Sequence, residues 1–544
     1  MTNKKTNYIG KLFTLGLALL ALFELLVIQY FNIFEAKEHL GIDSSWEYLK
    51  TLIISKEGGY FPKEYLSETT SPGAGKIFLL VAPINRLINN VWISFGIGTF
   101  IVTILTIVVM WNLMQRLEFS LNVKLIVINL FLCPYLSNGF DIYNDLGLFS
   151  CTNYVPSYEN IVVLLLFLTI WIVSFEKYTV KEWLIIIATM VLYMYHGLSA
   201  GVSLIVFCGT PVILFLAIRV FFTNDIKELT KPRTIILLMI NVMIIVGRLI
   251  GGLLNLSYGE SSITWITAPE FFEHIQHELL GYMLLVGAIP GTGAVRTPYS
   301  LYGISYAFGL IIFSINVIAV FYSIFIYIKK RFWHDEKNDY LIFCFSTIVT
   351  ITVEFALLKT GGSQDIFETR YLITSLLCSF LCVGFFIQNL DDNLLLKKFG
   401  VLVLVASIGA MDLFSDYIMA VTDNKSFHVD EVQEIIDQTD AGLVYFWENG
   451  KDTLPTYEVI RVTDIDRVYK SVNDSVLQTY GQYKYYDDST EYVGPTVLVI
   501  EEDDPAPSNE ILARYNQIGV VNNMGIYYCK DNPIDLKKIS TNKF

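Results

Sequence analysis

The stretch KIFLLVAPINRLINN, Lys76 to Asn90, decides how this chain is folded. Read as a membrane span, it would move every later cluster of Lys and Arg to the outer side of the bilayer. Read as an amphipathic helix lying on the outer surface, it leaves those clusters in the short cytoplasmic loops, where they ordinarily collect. With the N-terminus inside, the inner segments are then Lys4/Lys5/Lys11, Arg116/Lys124, Lys177/Lys181, Lys227/Lys231/Arg233, Lys329/Lys330/Arg331 and Lys397/Lys398. Every inner segment is basic under the second reading, so Lys76 to Asn90 is taken as a surface helix.

The rest of the topology follows from composition. Of 544 residues 53% are hydrophobic, and the mean hydropathy is +0.50, outside the range of a water-soluble globular enzyme. A net charge of -14 excludes a nucleic-acid binder, which needs a basic footprint against phosphates. A span takes roughly 20 apolar residues. About eleven segments qualify on hydropathy: 12–31, 92–114, 124–137, 159–175, 183–200, 201–222, 234–254, 301–328, 340–358, 371–389 and 399–419. The first has no small-residue cleavage site after it and reads as a retained helix rather than a signal peptide. The fifth and sixth nearly touch around Tyr195, His196 and Gly197. The expected fold is an α-helical polytopic membrane protein with a small C-terminal extracytoplasmic α/β domain.

Residues 1–420 are expected to form the membrane domain, with a long first outer loop, 32–91, that holds two helices. Residues 421–544 change character, becoming rich in Asp, Glu and Tyr. LVYFWE (443–448), TYEVIRV (456–462), TVLVIEE (496–502) and GIYYCK (525–530) read as strands. EVQEIIDQT and SNEILARYNQI read as helices. Five of seven cysteines lie in apolar runs, where a free thiol behaves as a small hydrophobe. Cys151 and Cys529 fall outside the membrane, where a disulfide between them is chemically allowed.

The informative charges gather at the outer boundary. HLGIDSSWEYLK, His39 to Lys50, places Asp43 and Glu47 four apart, on one helical face, beside Trp46. NGFDIYNDLGLF repeats the spacing with Asp141 and Asp145, and Glu159 stands where the fourth span begins. Arg248 lies near the outer end of the seventh span. PEFFEHIQHE follows, with Glu270, Glu273, His274, His277 and Glu278, then Arg296, and finally FETRYL with Glu368, Arg370 and Tyr371. Ionisable groups at the edge of apolar helices are expensive and usually line a site. A solvated loop acid remains an equal reading for Asp141 or Glu159 alone; Asp43 and Arg370, each beside a span's outer end, favour a functional role. His274 and His277 are an i, i+3 pair able to face a divalent metal, but the spacing is not HExxH, and a surface or substrate-contacting helix is the commoner meaning. Glu24, inside the first span, is expected to face a helix partner or cavity.

This arrangement resembles the GT-C glycosyltransferases, multi-spanning enzymes that use polyprenyl-phosphate-linked sugars on the outer side of a membrane. The resemblance covers residues 1 to about 420 and rests on four features: the long first outer loop with an early acid, Asp43 in GIDSSWEY; surface helices in that loop; a second acidic loop with Asp141 and Asp145; and the pair Arg370–Tyr371 opening a late span. Many members carry adjacent acids where this chain has Asp43 followed by two serines.

The resemblance implies inverting transfer of a sugar from a polyprenyl phosphate to a hydroxyl of a cell-envelope glycan, lipid or protein. Such chemistry needs a base for the acceptor proton and a cation for the departing phosphate. Asp43 would be the base, assisted by Glu47, and Arg370 the phosphate clamp, because a guanidinium forms paired charge-assisted bonds. Arg248 and Arg296 are reserves for that role, and Tyr154, Tyr158, Trp265 and Tyr299 are candidates to stack on sugar. A monophosphate donor implies no cofactor and no metal. The implied location is a bacterial plasma membrane with the active side outward. Two other readings stay open: a transporter or flippase, which predicts symmetric halves and broken helices near the midplane, and a polymerase of lipid-linked glycans.

Overall fold

The computed structural model describes residues 2–39, 42–58, 78–135, 148, 160–253, 263–289, 297, 299–360, 369–390, 395–414, 428–447, 453–464, 467–472, 477–478, 492–502 and 507–534. The chain divides into two compact units. Met1–Asn32, Thr99–Asn255 and Glu260–Asp423 form the first; Ile33–Gly98, Leu256–Gly259 and Asn424–Phe544 form the second.

Each of the eleven apolar segments coincides with a helix. These are α1 (Thr2–Tyr30), α4 (Val91–Arg116), α5 (Leu121–Leu132), α6 (Asn160–Val173), α7 (Val180–Leu204), α8 (Thr210–Thr223), α9 (Pro232–Leu253), α11 (Leu301–Lys329), α12 (Asp339–Leu357), α13 (Ile373–Asn389) and α14 (Leu395–Phe414). Among the described residues, seven helices are long and apolar enough to cross a membrane, and Leu121–Leu132 and Asn160–Val173 are shorter apolar helices. The chain is a multi-pass membrane protein.

The connections expected inside meet at one end of the first unit. Arg116 Nε donates to the Ser174 carbonyl at 2.7 Å, Lys337 pairs with Glu118 at 2.7 Å, and the Ser120 amide donates to Gln388 Oε1 at 3.0 Å. Beside them lies an ion network whose centre, Arg219, Arg233, Glu228 and Asp339, is buried and whose rim, Lys231 and Glu336, is partly exposed. Arg219 contacts Asp339 at 2.8 Å and Glu228 at 3.2 Å, Arg233 also pairs with Asp339, and Lys231 bridges Glu228 and Glu336 at 2.7 Å each. Buried charges persist only when paired in this way.

One boundary differs from expectation. The junction placed around Tyr195 to Gly197 lies inside α7, which continues to Leu204 and enters α8 through a π-helical turn, Ile205–Gly209. Gly197 serves helix packing rather than chain reversal. A Cβ on it would sit 2.8 Å from the Ile244 carbonyl oxygen, and one on Gly247 only 2.1 Å from that of Met194. Small residues let two apolar helices approach backbone to backbone where side chains would hold them apart.

In the second unit, Lys76 to Asn90 yields α3 (Phe78–Ile88), far shorter than a span. One side of it, with Val81, Ala82 and Asn85, is buried, while Leu87 on another side is 88% exposed. It packs on α2 (Ile42–Glu57), where Arg86 donates to the Ile54 carbonyl at 2.7 Å and Ser55 Oγ to the Ala82 carbonyl at 3.1 Å.

The C-terminal part holds a six-stranded mixed sheet. Its strands are β3 (Leu443–Trp447), β4 (Val468–Val472), β5 (Leu477–Gln478), β6 (Thr496–Glu501), β7 (Asn516–Val521) and β8 (Met524–Cys529), in the order β5-β4-β3-β6-β8-β7. TYEVIRV is not a strand but part of helix α16 (Thr453–Thr463). The reason is topological: β3 and β4 run parallel, and parallel neighbours need a crossover segment, which these residues supply. Strand propensity in Val and Ile yields to that constraint. SNEILARYNQI likewise splits into a short helix, α17 (Asn509–Leu512), and the start of β7, while EVQEIIDQT lies largely in α15 (Val429–Asp437). Leu443, Tyr445 and Trp447 point to one buried face with Leu498 and Ile500, and Phe446 meets Tyr457 of α16 on the other at 5.7 Å. Cys529 is buried in that core; Cys151 lies outside the described residues.

Candidate functional site

In the first unit the site is built from three elements. The turn Thr369–Leu372 leads into α13, α12 precedes it, and α10 (Phe271–Leu285) packs against both. A two-stranded sheet of β1 (Ile263–Trp265) and β2 (Leu358–Thr360) joins the two sides, with Trp265 opposite Leu358. A capping box starts α10: the Thr267 amide donates to Glu270 Oε2 at 2.6 Å. Glu270 is thereby assigned to helix initiation.

Arg370 is half-buried, its guanidinium 5.5 Å from the Tyr371 ring centre. That ring stacks on Phe355, with centroids 5.3 Å apart and planes 2° from parallel, and on Phe207 at 5.7 Å. The pair predicted from FETRYL therefore stands on a three-ring platform that draws on α12 and on the π turn before α8. A guanidinium over an aromatic face keeps its charge and donors while losing side-chain freedom.

The polar face of α10 was only partly legible. His274, Glu278 and Tyr282 recur every four residues and share one face. Tyr282 Oη lies 2.6 Å from Ser375 Oγ and 3.1 Å from Thr352 Oγ1. Burial pushes the Glu278 carboxyl up to about 8, with the Thr352 hydroxyl working against that rise. His274 is buried, and among the described residues neither ring nitrogen has a hydrogen-bond partner. His277 instead lies near the surface beside Glu273, at 3.7 Å. The two histidines thus stand in different environments and do not form one chelating pair. Tyr282 and Ser375 were not singled out from sequence; the i, i+4, i+8 spacing from His274 was the signal that could have found Tyr282.

Arg248 lies half-buried on α9, one residue past the Gly247 contact. Trp265 and Tyr299 are exposed, at 73% and 94%. An apolar cavity of about 540 Å³ between α8, α11 and α12 is lined by Phe222, Tyr327, Leu341 and Ile342. Leu341 precedes Phe355 by nearly four helical turns, about 20 Å along the axis, so this cavity is remote from Arg370.

In the second unit, Asp43 and Glu47 both lie on α2. The Glu47 carboxylate is buried and pairs with Lys50 at 3.2 Å, the two side chains each only 2% exposed. Tyr48 packs between Trp92 and Phe95, with centroids at 4.6 and 4.2 Å. Ser45 meets Glu458 and Arg461 of α16, which also pair with each other. The helix bearing Asp43 is thus locked to the C-terminal sheet domain, an arrangement no local signal in the sequence announces. The side chains of Asp43 and Trp46, and the residues Asp141, Asp145, Tyr154, Tyr158, Glu159, Arg296 and Glu368, lie outside the described residues.

No family model matches the chain, and no curated protein does. Solved structures do. ArnT from Cupriavidus metallidurans in the apo state is 11% identical, with a TM-score of 0.50, covering 94% of this chain and 98% of that one. ArnT from the same organism bound to undecaprenyl phosphate is 12% identical, with a TM-score of 0.48 and the same coverage. ArnT is a GT-C glycosyltransferase. The apo likeness covers nearly the whole of both chains, and so this chain has a GT-C-like fold.

Proposed function

We propose that the protein is an inverting glycosyltransferase that moves a sugar from a polyprenyl-phosphate carrier to a hydroxyl of a cell-envelope glycan, lipid or protein. The observation that carries this reading is Arg370, held on the Tyr371–Phe355–Phe207 platform beside the polar face of α10. A fixed guanidinium at that position suits a phosphate that gains charge as the glycosidic bond breaks. The fold shared with apo ArnT supports the same class of chemistry.

Asp43 takes the acceptor proton. Glu47, ion-paired with Lys50, steadies the helix that carries it. His274, Glu278 and Tyr282 face the substrate side of α10 and bind sugar hydroxyls. A single displacement inverts the anomeric centre, and a monophosphate donor requires no catalytic metal. The site faces the outside of a bacterial plasma membrane.

The test is transfer of a labelled sugar from a panel of polyprenyl-phosphate donors by the purified protein. Arg370→Ala and Asp43→Asn are each expected to lower turnover by at least about a hundredfold, the usual contribution of a positioned base or charge. Absence of turnover with every donor, or variants as active as wild type, would overturn the reading and favour a transporter.

A further inference from the structure

Within the first unit, three side chains far apart in sequence meet: Glu24 on α1, Cys133 at the C-cap of α5 and Asp412 on α14. One ligand atom from each lies within 4.8 Å of the others. All three are buried, at 1%, 0% and 2% exposure. Among the described residues, the four carboxylate oxygens and the fully buried Tyr135 hydroxyl find no hydrogen-bond partner outside the cluster; within it the two acids face each other and the Cys133 thiol, and Tyr135 faces Cys133. Two ionised acids in an apolar helix bundle, with no cationic neighbour among the described residues, are too costly to stand without a counter-charge.

We propose that this cluster is a binding site for a borderline-soft divalent ion of the zinc type, held by Glu24, Asp412 and Cys133. The donor set fits: zinc takes carboxylate oxygen and thiolate sulfur together, at about 2.1 and about 2.3 Å, which sets the donor atoms roughly 3.5 Å apart. Closing from the present spacing takes small rotamer adjustments. The helix end fits as well, because the carbonyls at the C-terminus of α5 add partial negative charge on the side where the ion would sit. A single proton shared by the acids would join one pair of oxygens and still leave one negative charge in the apolar interior, whereas a divalent ion offsets both carboxylates. The site ties α1 to α14, the first and last described helices of the unit, and its ion is taken up as the unit folds. On binding, the thiol proton is released and the sulfur becomes the third anionic ligand.

The experiment measures metal in full-length protein purified without chelator or affinity metal, after growth with zinc or with cobalt. Near-stoichiometric zinc is expected, and the cobalt form should show a sulfur-to-cobalt charge-transfer band. Cys133→Ser should abolish that band while Cys382→Ser keeps it, and Asp412→Asn should lose most of the metal. Trace metal in the wild type would overturn the proposal in favour of a shared proton. So would bound cobalt lacking the sulfur band, which would place the ion elsewhere. Both refuting results need only wild-type protein, so a variant that fails to fold does not shield the idea.

Discussion

Arg461→Ala would test how the C-terminal domain holds the helix that carries Asp43. Ser45 is fully buried, and Glu458 and Arg461 are 2% and 5% exposed. Removing the guanidinium leaves Glu458 with its charge in a dry contact between α16 and α2, and breaking one member of such a pair costs about 3–5 kcal/mol. The cost falls on the docking of α2, because Ser45 Oγ and Glu458 lose their shared donor together. At about 1.4 kcal/mol per tenfold, the amides of Ile42–Glu57 should exchange with solvent faster by about two to more than three orders of magnitude. Hydrogen exchange read by mass spectrometry on peptides covering α2 measures this directly. The paired replacement Glu458→Leu with Arg461→Leu removes both charges and should restore most of the protection, since an apolar pair of similar volume is often neutral or better. Unchanged exchange in Arg461→Ala, or a double variant as fast as the single one, would refute the argument. The single variant should also lose transfer activity while the first unit keeps its fold.

Other outcomes follow from the same geometry. Gly247→Val should lower the yield of folded protein, with a cost of at least about 1–3 kcal/mol from overpacking against Met194. Gly252→Ala, where an added Cβ meets nothing within 4 Å, should leave the same thermal melt unchanged or raise it slightly. Glu278 gives a pH signature. Its folded pKa, about 8, lies above the usual carboxyl value, so between those values the folded state holds a proton that the unfolded chain has lost. Stability therefore falls as pH rises through that window and levels off above it. From pH 6 to pH 8 the loss is about 2 kcal/mol, and Glu278→Gln should abolish that part of the slope in thermal melts. Arg370→Lys keeps the charge but loses the planar fork, and should lower turnover well below wild type in the donor assay.

The amino-acid sequence by itself determined the helices of the first unit, because the bilayer imposes a length and a polarity on every span and short loops sort their basic residues. It also determined that Lys76 to Asn90 is not a span, since a span there would have reversed the side of every later basic cluster, and that Arg370 and Tyr371 open one. Signals of that kind are local and periodic. Partnership is neither. The Gly197–Gly247 crossing and the platform of Phe207 and Phe355 under Tyr371 join residues up to about 160 positions apart. The same holds for TYEVIRV, whose Val and Ile read as a strand until the parallel pairing of β3 and β4 demanded a crossover. Glu24 already looked unfit for lipid in the sequence, but only the tertiary structure set Cys133 and Asp412 beside it, because burial of charge is decided by what packs around it rather than by its neighbours in the chain.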